Sequence, residues 1–93
     1  MNKAELIAEM AFRTGRTKKQ ETESLEALID IIHEELSNKR YVRLVGFGTF
    51  ETRERKAKIG VNPKDTSKKI KIPAKTVPVF KPGKILKKDV NGK

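Results

Sequence analysis

The sequence predicts an α+β fold: two amphipathic helices, three extended segments and a short basic helix, in that order. Three observations carry this. Apolar residues recur at helical spacing up to about residue 40, alternate at period two from Tyr41 onward, and thin out between Arg55 and Lys75 into a basic stretch too polar for a core. The chain therefore divides into a helical part, 1–40, a sheet with its closing helix, 41–54 and 76–93, and an arm, 55–75.

In KAELIAEMAFR, residues 3–13, Leu6, Ile7 and Met10 share one side of a helix, with Asn2 placed to cap it and Gly15 to stop it. Thr17 can cap a second helix, whose Leu25, Leu28, Ile29, Ile32 and Leu36 form a stripe roughly 100° wide. Ile31 widens that stripe beyond what the short first helix can cover. In YVRLV, Val42 and Leu44 point inward and Arg43 outward, Gly46 and Gly48 bracket Phe47, and TFETRER resumes an extended pattern, which together predict a hairpin. TVPVF, 76–80, is a third extended piece, and Pro78 inside it argues for an edge or a strand end. Pro82-Gly83 breaks that strand, and KILKKDV offers one or two turns of basic helix.

With 93 residues there is room for one hydrophobic core, and the 72 outside the arm make that core marginal. A dimer resolves both difficulties. A second subunit would cover Leu28, Ile29, Ile32 and Leu36 and accept Leu44, Phe47, Phe50 and Phe80.

The charge is one-sided. The chain carries 22 Lys+Arg against 12 Asp+Glu, a formal +10, yet residues 1–40 sum to −1 and residues 41–93 to +11. The second half is expected to meet a polyanion. The absence of cysteine excludes disulfides, thiolate metal sites and a cysteine nucleophile. The opening MNKAELIAEM has no apolar run resembling a signal peptide, and no later run could span a bilayer, so a soluble cytoplasmic protein without a membrane partner is expected. No phosphate loop, metal cluster or pair of carboxylates is spaced for catalysis, so neither enzyme nor cofactor is expected. His33, the only histidine, lies near the edge of the apolar stripe and is expected at a surface or interface.

The arm holds eight Lys+Arg (Arg55, Lys56, Lys58, Lys64, Lys68, Lys69, Lys71 and Lys75) and a single acid, Asp65. Ile59, Val61, Ile70 and Ile72 recur at period two, with Lys58, Lys69 and Lys71 between them, so one face could pair ribbon to ribbon while the other stays cationic. So short a ribbon is barely stable alone and is expected to be ordered by its partner. Lysines of this kind neutralise phosphates with little sequence choice, and Pro63 at the tip could wedge between base steps from the minor groove. The expected partner is double-stranded DNA.

The runs GFGTFETRERKAKIGVNP, 46–63, and KIPAKTVPVFKPGK, 71–84, with the opening MNKAELI and Thr17-Lys18-Lys19, closely resemble the HU and integration host factor family of bacterial histone-like proteins, across essentially the whole chain. The resemblance implies an intertwined homodimer or heterodimer with a helical body, a three-stranded antiparallel sheet and two protruding β-ribbon arms. It implies intercalation by Pro63, a grip lined by Asn62, Arg53, Arg55, Lys56 and Lys58, and flanking contacts from Lys3, Lys18 and Lys84; Lys81 is placed among the DNA contacts too. The role implied is DNA bending and nucleoid compaction with little sequence specificity.

Two departures stand out. Val61 occupies the position where the family often has arginine, and the tip has no glycine and one surplus residue, for which a bulge is expected. Lys68, Lys69 and Lys71 stand where acids are common, which should raise non-specific affinity. The competitor within this class is a site-specific bending factor of the integration host factor kind. From another class, an RNA-binding protein is the secondary candidate, against which stands the lack of aromatic-rich strand motifs.

Overall fold

The computed structural model describes residues 1–62 and 64–92. Helix α1 (Lys3–Thr14) begins at a capping box: the Asn2 side chain accepts the Glu5 N–H at 2.8 Å, and the Glu5 carboxylate accepts the Asn2 N–H at 3.3 Å. It ends at Gly15, whose N–H donates to the Ala11 carbonyl at 3.0 Å. Helix α2 (Lys18–Ser37) opens on a second box between Thr17 and Gln20, both bonds 3.0 Å long. Both start signals read from the sequence are the ones used.

The end of α2 was not legible in that way. Lys39 takes φ 58°, the left-handed conformation that usually selects glycine or asparagine after a helix. Its N–H donates to the Leu36 carbonyl at 3.0 Å, and the next N–H, of Arg40, reaches back to the Glu35 carbonyl at 2.8 Å. This paired closure is a Schellman motif built on lysine.

Among the described residues five strands follow, β1 (Val42–Leu44), β2 (Gly48–Arg55), β3 (Lys58–Asn62), β4 (Asp65–Ile72) and β5 (Lys75–Pro82), then α3 (Lys84–Asn91). β1, β2 and β5 form an antiparallel sheet in that order, and β3 pairs with β4 as a separate antiparallel ribbon. β5 is an edge, as Pro78 required, although the proline sits mid-strand opposite Thr52. Arg55 and Lys75 pair with each other in the body sheet, so the ribbon proper starts beyond them. The ribbon gives the molecule its length, with principal extents of 62 × 34 × 28 Å and a radius of gyration of 19.2 Å. A compact chain of this size would have a radius of about 12 Å.

Directly opposed residues of an antiparallel pair share a face. The inner face of the sheet thus carries Val42, Leu44, Phe50, Thr52, Pro78 and Phe80. Phe80 is the centre of an aromatic trio, its ring centroid 4.8 Å from that of Phe50 and 5.2 Å from that of Phe47, tilted in both cases. Gly48 makes that approach available: a Cβ there would lie 2.6 Å from the Phe80 ring and 2.7 Å from the Lys81 carbonyl.

Among the described residues Ile7 is the only buried large apolar side chain, and it keeps 9% of its surface exposed. Leu25, Ile32 and Leu36 are half-buried, whereas Leu28, Ile29 and Ile31 are exposed. Between α2 and the sheet an open groove of about 530 Å³ is lined by Ile32, His33, Leu36, Phe50, Thr52 and Pro78, among others. The one buried charge among the described residues, Glu21, is held by the Arg16 Nε at 2.6 Å. No described helix is long and apolar enough to cross a membrane.

Candidate nucleic-acid interface

Alternation along β2 and β5 sends Arg53, Arg55, Lys75 and Lys81 to the face opposite the phenylalanines. The register therefore gathers four of the expected DNA contacts on the outer face of the sheet, which α2 does not cover. Arg43 of β1 joins them, because it stands opposite Thr49 on that face. Its outward direction was legible from YVRLV; its company was not, since only the pairing of three strands brings it into one row with Lys81, across Thr49.

One acid intrudes on this surface. Glu51 shares the outer face and holds the Lys81 Nζ at 3.3 Å. Val77 and Val79 lie between the cations, both half-buried. A long anion could therefore meet charge and a low apolar ridge together.

The ribbon corrects one expectation. Lys58 pairs with Ile72, Ile59 with Lys71 and Gly60 with Ile70. Hence Lys58, Ile70 and Ile72 occupy one face, and Ile59, Lys69 and Lys71 the other. No apolar face opposes a cationic one; each presents lysine and isoleucine together. The reason is parity: the isoleucine of β3 has an odd number and those of β4 even numbers, and odd pairs with odd in this register. A slip of one residue would be needed to separate them. At the tip the pairing jumps from Val61↔Lys69 to Asn62↔Asp65, the kind of irregularity that the surplus residue called for.

Lys56, Lys58, Lys64, Lys69 and Lys71 are exposed along the arm. Asn62 and Lys68 are placed by their strands alone, and Pro63, the expected wedge, lies outside the described residues. On the body, Lys3, Lys18 and Lys84 are each the first residue of a helix. A cation there opposes the helix dipole and slightly weakens the helix, but it reinforces the attraction of that terminus for an anion. Lys3 also reaches Glu26 at 3.4 Å. Among the described residues no group of three or more His, Cys, Asp or Glu could hold a metal ion.

The sequence model of the bacterial DNA-binding protein family matches residues 1–91. The chain belongs to that family. Within the HU branch it is 56% identical to the DNA-binding protein HU of Clostridium pasteurianum over 91 residues, covering 98% of this chain and 99% of that protein. It is 47% identical to HU 1 of Bacillus subtilis with both chains fully covered. Among solved structures, HU of Anabaena in a co-crystal with DNA superposes with a TM-score of 0.90 at 46% identity, all of both chains included. HU of Thermotoga maritima gives 0.68 at 33% identity over 97% of this chain and 98% of that one. The HU fold, helices with antiparallel sheets and a β-arm, is thus the fold of this chain.

Proposed function

We propose that the chain is an architectural DNA-binding protein that works as a dimer, lays duplex DNA across the outer faces of its sheets and closes its two arms into the minor groove. The observation that carries this is the division of the body sheet by register. Its inner face is given to the phenylalanines and α2, while its outer face collects Arg43, Arg53, Arg55, Lys75 and Lys81 and leads into the lysine-bearing ribbon. Phosphate neutralisation by such a surface carries little sequence information and weakens with salt.

Dimerisation is supported by what a single chain leaves uncovered: Leu28 is 41% exposed, Phe47 43% and Phe80 37%, beside an open apolar groove. Monomers rarely leave so much of their core-forming surface to water. The co-crystal of the Anabaena relative with DNA supports the choice of duplex DNA. Pro63, which follows β3 in the sequence, is the residue we assign to the wedge that kinks the duplex. Compaction of the bacterial nucleoid within the cytoplasm is the role that follows.

The test is the end-to-end distance of a short duplex labelled at both ends, measured across a salt series with wild type and Pro63→Ala. Wild type should shorten the distance, and Pro63→Ala should bind with a similar salt slope but bend less. Binding by both without bending would reduce the arms to electrostatic tethers and remove the architectural role.

A further inference from the structure

The outer face holds a second cationic element at the end of the sheet remote from the arm. Thr49 is common to two registers: Arg43 stands opposite it on β1 and Lys81 opposite it on β5. The three side chains form one row across the sheet, and strand spacing sets the backbones of Arg43 and Lys81 about 10 Å apart. Along β2 this row is six residues from Arg55, about 20 Å from the root of the ribbon.

The two cations of the row are not equivalent. Lys81 is already paired, its Nζ 3.3 Å from a Glu51 carboxylate oxygen. The Arg43 guanidinium instead lies over the Tyr41 ring, 5.6 Å from its centroid, and has no acidic partner among the described residues. Cation–π attraction to a ring involves no N–H···O bond, and among the described residues no hydrogen bond or ion pair takes up a side-chain donor of Arg43. Tyr41 therefore restricts the group without consuming its donors. A planar fork with free donors matches two oxygens of a phosphate, and the Thr49 hydroxyl beside it adds a neutral donor.

We propose that Arg43, steadied by Tyr41, anchors a backbone phosphodiester of duplex DNA at this end of the sheet, a contact separate from the arm and its tip. It rests on the DNA binding proposed above and adds a residue and a position to it. Glu51 makes Arg43 the dominant charge of the row by occupying Lys81.

The experiment is fluorescence anisotropy of a labelled duplex across a salt series with wild type, Arg43→Gln, Arg43→Lys and Tyr41→Leu, with the unfolding midpoint of each recorded. Arg43→Gln should weaken binding and lower the log–log salt slope by about 0.9 for each phosphate that is no longer neutralised, at an unchanged midpoint. Arg43→Lys should keep the slope while binding several-fold more weakly, because an ammonium keeps the charge but not the fork. Tyr41→Leu should resemble Arg43→Lys. An Arg43→Gln protein that binds like wild type overturns the assignment of Arg43 and leaves the proposed function standing. A fall in slope in Arg43→Lys equal to that in Arg43→Gln overturns it too. Absence of salt-dependent binding by wild type would instead remove the proposed function itself.

Discussion

Arg40 is bonded to Glu35 through both backbone and side chain. Its N–H donates to the Glu35 carbonyl at 2.8 Å, and its guanidinium donates to the Glu35 carboxylate from Nε at 2.9 Å and Nη2 at 3.0 Å. The turn that joins the helical part to the sheet is thereby closed twice at one residue pair.

The hydrogen bond from Arg40 holds the Glu35 carboxyl below its ordinary value of 4.5. A carboxyl whose folded value is depressed contributes stability that is complete above its unfolded value and is lost as pH falls through the folded one. The contribution should therefore be present at neutral pH and fade below about pH 4.5. An NMR titration of the Glu35 side chain should find its midpoint below that of an ordinary glutamate, and Arg40→Ala should return it to the ordinary range. An unchanged midpoint in Arg40→Ala would show that the guanidinium bonds do not persist in solution.

Lys39 holds a left-handed conformation that costs an L-residue about 1 kcal/mol or more. Lys39→Gly should raise the stability by about 0.5–1 kcal/mol in denaturant unfolding, after allowance for the greater freedom of glycine in the unfolded chain. The 3.2 Å pair between Lys39 and Glu54 is exposed and offsets little of this. A loss of stability would mean that the pair matters more than the backbone.

At Gly48 the constraint is space. Gly48→Ala would place a methyl against the Phe80 ring and the Lys81 carbonyl, neither of which can retreat without disturbing the aromatic trio or the β2–β5 ladder. A destabilisation of about 1–3 kcal/mol is expected from denaturant unfolding. A neutral result would show that β5 shifts freely against β2.

The mixed faces of the ribbon make a further demand. Lys58 and Lys71 lie on opposite faces, so Lys58→Ala and Lys71→Ala should each reduce the salt slope of DNA binding, by about 0.9 for each phosphate left without its cation. If a single face grips the duplex, one of the two variants will leave the slope untouched.

What the sequence could disclose followed the range of the interactions involved. The caps of both long helices were legible because Asn2 and Glu5, or Thr17 and Gln20, lie three residues apart and bond each other. The inner and outer faces of β1 were legible from alternation alone, Val42 and Leu44 inward and Arg43 outward. Register was not: period two fixes the faces of β3 and of β4 separately, but whether Ile59 joins Ile72 or Lys71 depends on their alignment, and alternation does not encode it. Arg43 escaped notice as a candidate contact for the same reason. The turn at Lys39 was hidden because its residue type argues against its conformation, which two backbone hydrogen bonds hold in place.

Pro78 and Pro82 have a consequence for the single chain. They sit an even number of positions apart on the edge strand β5, so both withdraw a backbone donor from the same side of it. An incoming strand would meet a row of hydrogen-bonding groups with gaps in it. A chain with so much apolar surface bare is at risk of stacking edge to edge into fibrils, and the two prolines interrupt that route on the β5 edge while leaving the inner face open.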